Sequence, residues 1–184
     1  MCMEPKPRTP QKKVTVIGLG GSGGMIVHYI SEQANKYNET FNLLYADWDE
    51  ENLYESTVET INIAGQSNIN LDVLRNSDLI IVVAGLGGLF TSFATPMVLA
   101  YAERLDIPIK LIVSTPASFE GKRRRNRAAK SLELIQEIIS DYKVFETDKL
   151  INMLDNKTSV KDVFKVMNET IYQQIRRLLN NYEH

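Results

Sequence analysis

Residues 14–24, VTVIGLGGSGG, and residues 79–88, LIIVVAGLGG, share one construction: a β-branched or apolar run passes directly into a glycine-rich loop. Continuous apolar runs, rather than alternating ones, mark strands buried on both faces of a parallel sheet. Glycine has no β-carbon, so its amides can approach phosphate oxygens closely, and a following helix offers the positive end of its dipole to the same anion. Met25 to about Gln33 supplies such a helix after the first loop, with Ile26, Val27 and Ile30 on one stripe. Two such loops at successive strand ends imply phosphate recognition.

Working outward, strand and helix alternate along the chain. Leu43–Ala46 reads as a second strand ending in Asp47, and Thr60–Ile63 as a third, closed by Gly65. Pro96–Leu105 reads as helix, Ile109–Ser114 as a buried strand ending before Pro116, Arg124–Ile139 as helix and Tyr142–Phe145 as a short strand. The last helix, Val160 to about Leu179, carries Val160, Val163, Phe164, Met167, Ile171, Ile175 and Leu178 on one stripe, with Ser159 and Asp162 as its capping pair. At 1.5 Å per residue it is roughly 30 Å long, enough to cross a small domain. The alternation predicts an α/β fold: a three-layer, Rossmann-like sandwich with a mostly parallel sheet.

A chain of 184 residues with 43% hydrophobic content suits a single core, here residues 14–184, preceded by a polar, proline-bearing arm over 1–13 that is expected to be disordered. Its 21 basic and 23 acidic residues give a formal charge of -2, so no global field attracts nucleic acid or an anionic membrane. Cys2 is the only cysteine, which excludes an internal disulfide framework and a cysteine-based metal site and makes the cytoplasm the expected compartment. No segment has the apolar length of a membrane span or of a secretory signal. Neither His28 nor His184 has a neighbour at metal-ligating spacing.

Two further segments carry a resemblance. Ser118-Phe119-Glu120-Gly121-Lys122-Arg123-Arg124 is closely similar to the FEG-basic-basic-Arg segment of the tubulin/FtsZ family, and Thr147-Asp148-Lys149-Leu150 resembles its Asn-Asp-Lys-Leu. The likeness runs from about Val14 to about Leu179, which is nearly the whole chain. It implies the nucleotide-binding fold of that family, with GTP or GDP as ligand and a link to cell division or filament assembly. By the same resemblance Gly20, Gly21, Ser22, Gly23 and Gly24 cradle phosphates, Asp47 matches the Asp of Asn-Thr-Asp, and Gly87 and Gly88 open the second phosphate loop. Glu120 and Arg124 fall on the ribose side, and Glu169, after Phe164 and Asn168, reads guanine.

The departures from that pattern weaken the ligand. Leu89, Phe90 and Phe93 stand in Gly87-Gly88-Leu89-Phe90-Thr91-Ser92-Phe93, where the family has GGGTGTG; Met25 and Thr147 each replace an Asn. The water-activating loop and second domain that follow the long helix in the family are not in this sequence. The expectation is a pseudo-GTPase, with weak nucleotide binding, no catalytic residue, no self-contained hydrolysis and no residue pattern that assigns magnesium. Two other readings stay open. One is a non-binding interaction module that caps or recruits a filament protein. The other is a dinucleotide-binding domain, since Gly18, Gly20 and Gly23 satisfy GxGxxG and Asp47 ends the second strand. The expected partner is a second copy, or another FtsZ-family or division protein, held by the Ile171, Ile175 and Leu178 face of the long helix or by an aromatic loop at Phe90 and Phe93.

Overall fold

In the computed structural model, residues 12–37, 40–54, 56, 58–62, 71–155 and 158–182 are described. Most of the predicted arm, together with Cys2, Gly65 and His184, lies outside them. Six strands form one sheet: β1 (Val14–Leu19), β2 (Asn42–Asp47), β3 (Glu59–Asn62), β4 (Leu79–Gly85), β5 (Ile109–Thr115) and β6 (Tyr142–Glu146). Their order is β3-β2-β1-β4-β5-β6, and every adjacent pair is parallel. The order reverses direction between β1 and β4, so a crevice opens there at the carboxyl ends of the strands.

Strand periodicity sorts the core into two layers. Ile80, Val82 and Ala84 of β4 join Ile17, Leu111 and Val113 on one face, covered by α3 (Leu89–Arg104) and α4 (Lys122–Ile138). Leu79, Ile81 and Val83 join Val16 and Ile112 on the other, covered by α1 (Gly20–Tyr37) and α6 (Val160–Tyr182). Short helices α2 (Glu50–Tyr54) and α5 (Thr147–Met153) follow β2 and β6. The sandwich is therefore three-layered and α/β, and its sheet is wholly parallel among the described residues.

Helix α1 meets the sheet at a point where only glycine fits. A β-carbon on Gly18 would stand 2.3 Å from the Gly23 carbonyl oxygen, and one on Gly23 would stand 2.7 Å from the Val83 carbonyl oxygen. Gly24 is pressed against the Tyr45 ring, 2.5 Å from where its β-carbon would be. Gly23 and Gly24 are thus packing positions.

Two expectations about helices are corrected. Helix α3 begins at Leu89, seven residues before Pro96, and Pro96 lies within it. Leu89, Phe90 and Phe93 are therefore helical, and there is no aromatic loop. Helix α6 does not offer Ile171 and Ile175 to a partner: both are fully buried beneath α1 and the sheet, with Leu178 packed at their edge. Its outward positions, Lys161, Asp162, Lys165, Thr170 and Arg177, are polar and exposed, so the apolar stripe serves one side only. At its start the Ser159 hydroxyl accepts the Asp162 amide at 3.2 Å and donates to the Asp162 carboxylate at 2.6 Å.

The glycine contacts set up a paired comparison. Gly23→Ala forces a methyl group into backbone and should destabilise the domain by about 1–3 kcal/mol. Gly21, with nothing within 4 Å of its β-carbon position, should accept alanine neutrally or with a gain of up to about 1 kcal/mol. Urea unfolding of the two variants measures the difference, and equal midpoints would show that the α1–β1 contact is not tight.

Candidate functional site

The crevice at the carboxyl edge of the sheet is a cleft of about 710 Å³. That lies within the range of small-ligand pockets. The first glycine loop contributes Gly20, Gly21 and Ser22, the second Gly85, Leu86 and Gly88, and the end of β2 contributes Asp47 and Trp48. On the far wall are Glu120, Arg124 and Arg127, with Thr147 and Phe164 behind them. Two long helices, α1 of 18 residues and α3 of 16, start at this cleft. Their free first-turn amides and dipoles favour an anion between them.

Gly20 takes φ +68°, a left-handed conformation that turns the chain from β1 into α1. Phe90 lies against it: a ring carbon is 3.4 Å from the position of a Gly20 β-carbon, and the ring stands 5.6 Å from that of Trp48. Only 5% of Phe90 is exposed, so its ring closes the floor between the two loops. The hydroxyls at the start of α3 turn inward as well. Thr91 donates to the Gly85 carbonyl at 2.9 Å and Ser92 to the Gly88 carbonyl at 2.7 Å. Their protons are committed to the chain's own loop.

Both carboxylates in the cleft are engaged. Asp47 is buried, accepting the Tyr45 hydroxyl at 3.0 Å and the Trp48 amide at 2.8 Å. Burial, and then the neighbouring Asp47 charge, push the Tyr45 phenol well above its ordinary value, so it remains a donor. Glu120 accepts the Ala117 amide at 2.8 Å and pairs with Arg124 at 2.8 Å. Arg127 donates to the Gly87 carbonyl at 2.9 Å, tying α4 to the second loop.

Of the expected site residues, Gly20, Gly21, Ser22, Asp47, Gly88, Glu120 and Arg124 line the cleft together. Gly23, Gly24, Gly87 and Glu169 do not. Gly87, at φ +93°, backs onto Pro116 and the Arg124 carbonyl. Glu169 lies between α6 and α1, accepting the Tyr29 hydroxyl and the Gln173 side chain. Its neighbour Asn168, one turn beyond Phe164, is the residue that sequence reasoning passed over. Asn168 is 9% exposed, and its Oδ1 has no partner among the described residues. Asn168 itself does not line the cleft, but it lies one helical turn from Phe164, which does, and an unpaired buried acceptor is costly unless a donor meets it.

No family model matches the chain. The cell division protein FtsZ of Haloferax mediterranei is 27% identical over 188 residues, covering 90% of this chain and 49% of that protein. FtsZ of Aquifex aeolicus is 30% identical over 105 residues, 57% of this chain and 29% of the relative. This chain spans about half the length, or less, of the curated relatives it matches. Among solved structures, an empty FtsZ dimer from M. jannaschii superposes with a TM-score of 0.79 at 20% identity, covering 93% of this chain and 55% of that one. CetZ2 from Haloferax volcanii, solved as a GTPγS-bound protofilament, gives 0.77 at 21% identity, covering 91% and 58%. Over about nine-tenths of its length the chain is similar in sequence to FtsZ proteins, and its fold is that of the FtsZ amino-terminal domain.

Glu169 also carries a pH signature. The Tyr29 hydrogen bond, with Gln173 second, holds its carboxyl below the ordinary value. A depressed carboxyl stabilises the fold above its unfolded pKa and loses that contribution as pH falls through the folded one. Tyr29→Phe should therefore cost about 1 kcal/mol at neutral pH, and the difference from the parent should shrink in strong acid, once the carboxyl is protonated in the folded state as well. Urea unfolding under both conditions checks this, and an undiminished difference in acid would contradict it.

Proposed function

We propose that this protein is a guanine-nucleotide-binding domain linked to cell division or filament assembly, with weakened phosphate binding and no hydrolysis of its own. The observation that carries the reading is the convergence of two glycine loops, two helix starts and the Glu120–Arg124 pair on one cleft at the sheet's switch point. Gly20, Gly21 and Ser22 with Gly88 would face phosphate, Glu120 and Arg124 ribose, and Asn168 rather than Glu169 the base. Similarity to cell division proteins, and to a structural neighbour solved as a GTPγS-bound protofilament, supports the same ligand class.

Weakness at the terminal phosphate is supported by Phe90 on the cleft floor and by the inward hydroxyls of Thr91 and Ser92. The absence of hydrolysis is supported by the two engaged carboxylates, which leave no free acid among the described cleft residues to orient water. Phe90 also favours a second reading, in which the fold serves as an interaction module without nucleotide. The two readings differ in one titration.

GDP and GTP should bind with affinities within about tenfold of each other, quenching or enhancing the fluorescence of Trp48, the chain's single tryptophan. Arg124→Ala should weaken both, and phosphate release from GTP should not exceed background. Saturable NAD binding with no response to GDP would overturn the ligand assignment, and no response to any nucleotide would leave the interaction module as the function.

A further inference from the structure

The sheet ends laterally at β6, and the outer side of that strand is bare backbone. The Leu111 amide donates to the Asp141 carbonyl at 3.3 Å, and the parallel register sets Leu111 beside Tyr142, Val113 beside Val144 and Thr115 beside Glu146. Backbone groups alternate sides along a strand, so residues 141, 143 and 145 bond to β5. The N–H and C=O groups of Tyr142 and Val144, and the Glu146 N–H, therefore point away from the sheet. No turn or loop backbone bond among the described residues reaches them. Such an edge is a template for another strand.

Edges are commonly guarded by a projecting charge, lysine above all. On β6 the polar side chains are instead drawn back by their own chain. The Lys143 ammonium donates to Gln174 on α6 at 2.8 Å and stands 5.6 Å from the centre of the Phe145 ring. The Tyr142 hydroxyl accepts the Gln136 side chain on α4 at 2.8 Å, and Glu146 pairs with Lys149 of α5. The opposite edge differs: β3 has four residues, of which Glu59 and Thr60 are exposed. In β6, which has five, Tyr142, Val144 and Phe145 are half-buried.

We propose that a second copy of this chain adds to β6, antiparallel, about a two-fold axis that passes through the sheet at Val144. Each Val144 N–H then meets the Val144 carbonyl of the other copy, and each Glu146 N–H meets the Tyr142 carbonyl. The side chains fit this register. Val144 faces Val144, Glu146 faces Tyr142 and Lys143 faces the Phe145 ring, so no like charges stand directly opposite one another. The two-fold contact closes at the dimer. Because the strands run in opposite directions across it, the two clefts open at opposite ends, and the contact does not depend on what they hold.

Residue 144 lies on the axis and faces itself, which supplies the test. In nucleotide-free buffer the parent should sediment as a dimer. Its Val144 amide, unbonded in the single chain, should exchange with solvent about tenfold more slowly as protein concentration is raised and the dimer forms. Val144→Lys and Val144→Glu each set like charges opposite one another and should weaken self-association about a hundredfold. An equal mixture of the two should restore a species of dimer mass. Val144→Pro removes an outward N–H without breaking the ladder to β5, and should weaken association by about the same factor. Circular dichroism reports whether each variant is folded, and the exchange measurement needs no variant. A monomeric parent, a Val144 amide whose exchange ignores concentration, a folded proline variant that dimerises like the parent, or a mixture of folded variants that stays monomeric would each overturn the proposal.

Discussion

The contact between Gly18 and Gly23 governs the arrangement of this domain. Because neither residue has a β-carbon, the start of α1 rests directly on the backbones of β1 and β4, at 2.3–2.7 Å from positions that any other residue would fill. That seat brings the amino end of α1 to the line where the strand order reverses. Helix α3 starts from the far side of the same line, and the cleft is the space that the two leave between them. Buried strands on both sides of the junction, Val16 to Leu19 and Leu79 to Ala84, keep the line rigid.

Within that frame the two sides of the cleft have diverged chemically. The wall made by Glu120, Arg124, Arg127 and Thr147 is polar, hydrogen-bonded and held by α4 and β5. Toward the glycine loops the surface is aromatic instead, with the Phe90 ring packed at a tilt against that of Trp48. An aromatic floor between two helix starts retains their dipoles while removing hydroxyl donors. On the proposed function this shifts binding from the terminal phosphate toward ribose and base. It also leaves the mouth apolar enough to meet another protein surface.

The sheet was legible in the sequence because β1, β4 and β5 are nearly continuous apolar runs bounded by Gly18, Gly85 and Pro116, and each observed strand falls within two residues of its expected place. Helix α3 was misread because Pro96 is at home in a first turn. Nothing local shows that Leu89–Thr95 are already helical, a fact set by packing of Phe90, Ala94 and Val98 on the sheet. The roles of individual glycines were legible only in part. Residue type marks a close approach, but whether the approaching group is a phosphate, as Gly20 and Gly21 permit, or a backbone, as at Gly23, depends on tertiary contacts. Likewise Asn168 and Glu169 are adjacent in sequence, and only the rotation of α6 against α1 determines that Glu169 meets Tyr29 while the buried Asn168 Oδ1 has no partner among the described residues. The burial of Ile171 and Ile175 reflects the same rotation.

Amide chemical-shift mapping during a GDP titration tests the central claim most directly. The account predicts saturable shifts confined to Gly20–Ser22, Gly85–Gly88, Glu120–Arg127 and the Phe164–Asn168 turn, including the Asn168 side-chain amide, with Gly23, Gly24 and Glu169 moving little. Shifts centred elsewhere, or on Glu169 rather than Asn168, would contradict it.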